Sequence, residues 1–165
     1  MPKKISPKGI SLSGRKKNTR NLRKRFIIVC EGEKTEPNYF RQFRVPKDVI
    51  EIIGLGANTV AVVQRAIEEK QKYPGAEVWS VFDRDSFPAQ NFNNALNLAR
   101  QHSIKIAYSN EAFEIWYLLH FYYHDTATSR DLYKQMLSDR RRLGFEYTKN
   151  NPNMYHILEK ESRRK

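Results

Sequence analysis

A chain of 165 residues, 39% of them apolar, suffices for one domain with a modest core, and it holds no run near the ~20 apolar residues that span a bilayer. One cysteine, Cys30, excludes an internal disulfide and a multi-cysteine zinc site, and a start at Met-Pro-Lys-Lys with no apolar run behind it predicts no secretory leader and a cytoplasmic protein. The net charge of +12 is uneven, because residues 1–25 hold ten Lys and Arg and no acid, which leaves a nearly neutral body.

Residues 1–24, rich in Lys, Arg, Ser and Gly, read as a disordered basic arm. Such an arm either grips nucleic-acid phosphates by releasing counterions or only keeps the chain soluble. Order is expected from Phe26-Ile27-Ile28-Val29-Cys30, a continuous apolar run of the kind that forms a buried parallel strand. Glu31-Gly32 breaks it, and Thr35 is placed to cap a short helix that has Pro37 in its first turn. Val49–Ile53 is a second strand, closed by Gly54-Leu55-Gly56. Asn58 caps a helix reaching about Tyr73, with Val60, Val63, Ala66 and Ile67 on one face. Pro74-Gly75 ends it. A third strand, Glu77–Phe82, runs into Asp83-Arg84-Asp85. A helix from about Pro88 to His102, a strand over Ile104–Tyr108, an apolar helix over Phe113–Tyr123, a helix over about Arg130–Leu143 and a last helix from Asn153 complete the order. Alternation of strand and helix predicts an α/β fold, a parallel sheet of about four strands with helices on both faces and C-terminal helices beyond it. Residues 25–125 form the sheet domain and 126–165 a helical extension.

Right-handed crossovers point the carboxyl ends of all strands the same way, and functional groups of open α/β sheets gather there. Glu31 follows the first strand. Asp83 and Asp85 follow the third and, two apart, face one side, with Arg84 turned away from them. If those strands are neighbours, three carboxylates converge. Such a cluster repels itself unless a cation neutralises it. Mg2+, with Mn2+ as a substitute, suits hard oxygen ligands completed by water and phosphate. Asp-x-Asp alone is as well explained by turn capping; the ordered pair of strand–Glu-Gly and strand–Asp-x-Asp is more specific.

Phe26–Gly32 together with Val81-Phe82-Asp83-Arg84-Asp85 resembles the Toprim fold of topoisomerases, bacterial primases and overcoming-lysogenization-defect nucleases. The closer resemblance is to the RloB family, through Cys30-Glu31-Gly32-Glu33-Lys34-Thr35-Glu36-Pro37-Asn38-Tyr39-Phe40, Val81–Asp85, and Ser109-Asn110 with Phe113–Phe121. Glu111 stands where that resemblance leads one to expect proline. The resemblance implies a metal-dependent nuclease of phage-defence loci, acting on RNA such as tRNA or on DNA, beside an ATP-binding-cassette-like or AAA-type ATPase and away from any membrane. It also implies Glu31 as general base or acid that touches the metal as well, and Asp83 and Asp85 as catalytic metal ligands. Two other readings are a primase-like nucleotidyl transferase and a non-catalytic nucleic-acid-binding module.

Around this core the readings divide. Glu114, on an apolar helix, is costly to bury alone; it serves as a further metal ligand, or pairs with an arginine or caps a backbone. Gly32, Lys34 and Arg84 are candidate substrate contacts. Glu36, in a first helical turn, is explained by the helix dipole, and Glu33 is open. Trp116, Leu118, Leu119 and Phe121 are expected in the core, as is Cys30. His120 and His124 share a helix face without a zinc motif, so packing or surface roles are expected. Arg140-Arg141-Arg142 is a secondary candidate for phosphate contact. The glycine pair at Gly54 and Gly56 lacks the dinucleotide fingerprint, and no Walker lysine motif is present.

Overall fold

The structure, a computed structural model, describes residues 24–84 and 89–163. The basic arm up to residue 23, Asp85 and the helix start expected at Pro88 lie outside the described residues.

The apolar runs form four parallel strands: β1 (Phe26–Cys30), β2 (Ile50–Gly54), β3 (Glu77–Arg84) and β4 (Lys105–Asn110), in the sheet order β2-β1-β3-β4. The chain steps from β1 outward to β2 and then returns across β1 to β3. The winding direction therefore reverses between β1 and β3, and right-handed crossovers send the connecting helices to opposite faces. Helix α1 (Thr35–Arg41) covers one face, and α2 (Thr59–Lys72) and α3 (Ala89–Gln101) cover the other. Side-chain alternation feeds both layers. Ile27, Val29, Val78 and Phe82 pack under α2 and α3, whereas Cys30 and Val81 pack under α1.

The segment after β4 belongs to the α1 face. Helices α4 (Glu114–Leu118), α5 (Arg130–Ser138) and α6 (Met154–Ser162) contribute Leu118, Tyr133, Leu137, Met154 and Leu158 to the same core cluster as Cys30 and Val81. Tyr39 of α1 sits inside a ring of aromatics, with centroids of Phe40, Phe43, Phe113 and Tyr155 between 5.3 and 5.5 Å away. Helices α5 and α6 of the C-terminal extension thus pack into the same layer as α1 and α4. No helix among the described residues is long and apolar enough to cross a membrane.

Local signals hold at several places. Asn58 caps α2, accepting a hydrogen bond from the Ala61 N–H at 3.0 Å, as its short amide favours. Asn153 is the N-cap position of α6. Others need correction. Lys34, not Thr35, precedes α1, and the Thr35 hydroxyl instead bonds Asn150 Oδ1 at 2.7 Å. β3 runs through Asp83 and Arg84, because its ladder to β4 continues as Asp83↔Ser109 and Arg84↔Asn110; a backbone ladder needs no apolar side chains. The long apolar helix after β4 is five residues of α4 followed by tighter turns, His120 N–H to Tyr117 O and Phe121 N–H to Leu118 O. A segment apolar all round has no polar stripe to hold it as one long surface helix. Leu119 lies at its turn and is exposed, not core. α5 stops at Ser138, since Asp139 turns extended and its carboxylate caps the Arg141 N–H at 2.7 Å.

Candidate active site

Where the winding direction reverses, the carboxyl ends of β1 and β3 lie side by side, with Cys30 opposite Val81. The strand pattern continues one residue past β1. Glu31 N–H bonds Val81 O at 2.9 Å, and Glu31 O accepts from Gly56 N–H at 2.8 Å. Glu31 is held from both neighbouring strands. Its carboxylate reaches across β3: Oε2 accepts the Asp83 N–H at 3.0 Å and Oε1 accepts the Thr59 hydroxyl at 3.2 Å. Asp83 is half-buried, on the α1 side of the sheet. Both acids open into a cavity of about 600 Å3 at this edge.

Gly32 and Lys34 line that cavity with them, as do Glu33, Glu36 and Glu114. Arg84 does not. Alternation turns it to the opposite face, where its guanidinium lies 5.5 Å from the Phe92 ring centroid. Arg140, Arg141 and Arg142 also stay outside the cavity, and Arg142 packs over Tyr122 at 4.9 Å.

Glu36 is the residue whose place was least legible. It is buried, at 6% exposure, in the first turn of α1. Its carboxylate fills the space beside Gly32, where an added Cβ would sit 2.2 Å from Oε2. Burial raises its pKa, against the pull of the Glu36 and Gly32 backbone N–H groups and of Lys149, while the charge of Glu114 adds to the rise. Oε2 is buried without a hydrogen-bond partner. Its dipole position was readable in the sequence, but its direction into the cavity depends on the side-chain vacancy at Gly32.

Glu114 is buried at 2% exposure, and its partner is neither arginine nor backbone but the Tyr147 hydroxyl, which donates to Oε1 at 2.9 Å. Burial, reinforced by the Glu114 charge, raises the Tyr147 pKa, so the phenol remains a donor. Lys149, Asn150 and Arg130 complete the wall. Arg130 also donates to Glu111 O at 2.8 Å. None of these C-terminal groups carried a motif. Cys30 is fully buried, and burial raises its pKa. His120 bonds the Tyr39 hydroxyl at 2.8 Å and His124 the Thr128 hydroxyl at 2.7 Å, which gives both packing roles.

The cavity's acidic side presents only hard oxygen donors, which suit Mg2+ or Mn2+, and the uncommitted Glu36 Oε2 is an open acceptor beside them. Among the described residues no three His, Cys, Asp or Glu side chains are already arranged around one ion point. Mg2+ needs only one or two protein carboxylates beside water and phosphate, so the donor set fits such an ion without a closed cage.

Fold and site together define an α/β protein with an acidic cavity at the switch point of a parallel sheet. The family model described as RloB-like protein matches residues 26–164, and the chain belongs to that family. No curated protein and no solved structure matches the chain.

Proposed function

We propose that this chain is a metal-dependent nuclease that hydrolyses phosphodiester bonds of nucleic acid, as the Toprim and RloB resemblance implies. The observation that carries the reading is the junction of Glu31 and Asp83: two acids 52 residues apart meet at the carboxyl ends of adjacent strands, linked by the Asp83 N–H on Glu31 Oε2 at 3.0 Å. In open α/β sheets this crevice is where substrates bind.

Asp83, with Asp85 two residues on, is the metal-holding pair of the reading, and Glu36 and Glu114 supply carboxylates from the facing helices. A divalent ion held by these carboxylates would supply charge neutralisation at the phosphate and acidify the attacking water. Glu31 takes the proton of the attacking water, since the Asp83 N–H and the Thr59 hydroxyl fix its orientation and leave lone pairs for a further hydrogen bond. Gly32 lines the cavity beside Glu31 with its side-chain space taken by the Glu36 carboxylate, and Lys34, exposed at the start of α1, is a contact for the nucleic acid backbone. The proposed setting is phage defence beside an ATPase partner, which would supply the nucleotide chemistry that this chain lacks a motif for.

The test is cleavage of RNA and DNA substrates with Mg2+ and Mn2+. Glu31→Gln and Asp83→Asn are expected to lose activity by about 100-fold or more while circular dichroism shows the fold retained. Full activity in both would retire the mechanism. The commitment of both Glu31 oxygens to hydrogen bonds inside the protein favours one other reading, a non-catalytic nucleic-acid-binding module. Salt-sensitive binding without cleavage in any divalent metal, and unchanged by EDTA, would select it.

A further inference from the structure

We infer that Lys149 is a second cationic group, besides Lys34, that grips a substrate phosphate at the acidic cavity, a role that rests on the nuclease reading. The turn that carries it is built into the site from three positions in four residues. Tyr147 donates to Glu114 Oε1 at 2.9 Å, Asn150 accepts from the Thr35 hydroxyl at 2.7 Å, and Lys149 between them lines the cavity. Asn150 holds the turn in the left-handed region, at φ 65°, where Asn is among the few side chains tolerated. The turn therefore ties α1 to α4, the two helices that bring Glu36 and Glu114, and it places Lys149 on the wall of the cavity those acids also line.

That ammonium is not spent on a structural ion pair. Lys149 is exposed, and it makes no hydrogen bond or ion pair among the described residues. Its charge is nevertheless felt at Glu36, whose carboxyl it favours in the ionised form. A cation near an acidic wall, yet out of ion-pair contact with it, leaves room for an anion that metal and lysine hold from two sides. A phosphodiester carries the single negative charge and the acceptor oxygens that such a pair binds, and lysine serves phosphate as a point charge.

The test uses the full chain with two probes short enough that the ten cationic residues of 1–25 contribute little counterion release: 5′-phosphorylated dithymidylate and diuridylate, titrated by calorimetry in Ca2+. Lys149→Gln is expected to weaken binding about ten-fold, the scale of one lost charge-assisted hydrogen bond. Lys149→Arg should recover most of it, and the affinity for Mn2+ alone should stay within two-fold of wild type. Melting curves check that both variants fold. The two probes separate deoxyribose from ribose preference. Unchanged dinucleotide affinity in Lys149→Gln overturns the assignment, as does an equal loss of Mn2+ affinity or no dinucleotide binding by the wild type. If the ten-fold loss is found and no metal supports cleavage, the phosphate contact stands and the nuclease reading falls.

Discussion

Gly32 and Glu36 share one space. The carboxylate of Glu36 occupies the position a side chain at residue 32 would take, with Oε2 2.2 Å from a Cβ there. Glu36 is buried at 6% exposure and lines the cavity, so the carboxylate must shift toward that space to admit a methyl group. Gly32→Ala is expected to destabilise the protein by about 1 kcal/mol, the low end of overpacking, because the atoms in the way end a flexible side chain. In a Glu36→Ala background the same substitution should cost much less, because the colliding group is gone. A double-mutant cycle by urea denaturation measures the difference; equal costs in both backgrounds would show that the collision is not the cause. The second glycine that shapes the site is Gly56. It adopts φ +63°, and its N–H bonds Glu31 O at 2.8 Å, so the end of β2 is pinned to the acid.

Among the elements, α6 shows how far the site depends on distant packing. Leu158 is fully buried in the cluster that also holds Tyr39, Phe113 and Tyr147. α6 lies against α1, and Gln42 at the end of α1 donates to Pro152 O just before α6 while its own Oε1 accepts from His156 N–H at 3.3 Å. Leu158→Ala removes the side chain that fills this seam and is expected to cost ~2–5 kcal/mol. Because the preceding turn carries Tyr147 and Lys149, nucleic-acid binding should fall before the sheet unfolds. Urea titrations followed by far-UV circular dichroism and by oligonucleotide binding would separate the two losses. A loss of stability under 1 kcal/mol would mean that α6 is only loosely docked.

For the molecule as a whole, the site lies at the carboxyl ends of the strands, and charge holds the opposite ends of β3 and β4. Glu77 at the start of β3 accepts from Lys105 Nζ at 2.7 Å and from Trp79 Nε1 at 2.9 Å, and it pairs with Lys24. Lys105 first, then Lys24 and Trp79, lower the Glu77 pKa to about 2. A folded pKa below the unfolded value, near 4.5, means that the unfolded chain binds the proton more readily between those limits. The stabilisation is fully present above about pH 4.5 and fades as pH falls towards 2. Glu77→Gln removes this dependence, so the difference in melting temperature between wild type and variant should shrink steadily from pH 5 to pH 2. A constant difference across that range would exclude the linkage.

By itself the sequence determined the strands, their parallel class and the place of Glu31 directly after β1. Strands buried on both faces read as continuous apolar runs, and a carboxylate at the end of such a run is a local feature visible without any partner. Asn58 was legible for the same reason, since a cap bonds a neighbour three residues away. Only the tertiary structure decided that β1 and β3 are adjacent, that Glu36 turns into the cavity while Arg84 turns to Phe92, and that Leu119 is exposed. It alone brought the turn Tyr147–Asn150 to the site. Thr35 and Asn150 are 115 residues apart, and Glu114 and Tyr147 are 33 apart. Contacts of that range arise from how layers pack, and no residue pattern along the chain encodes them.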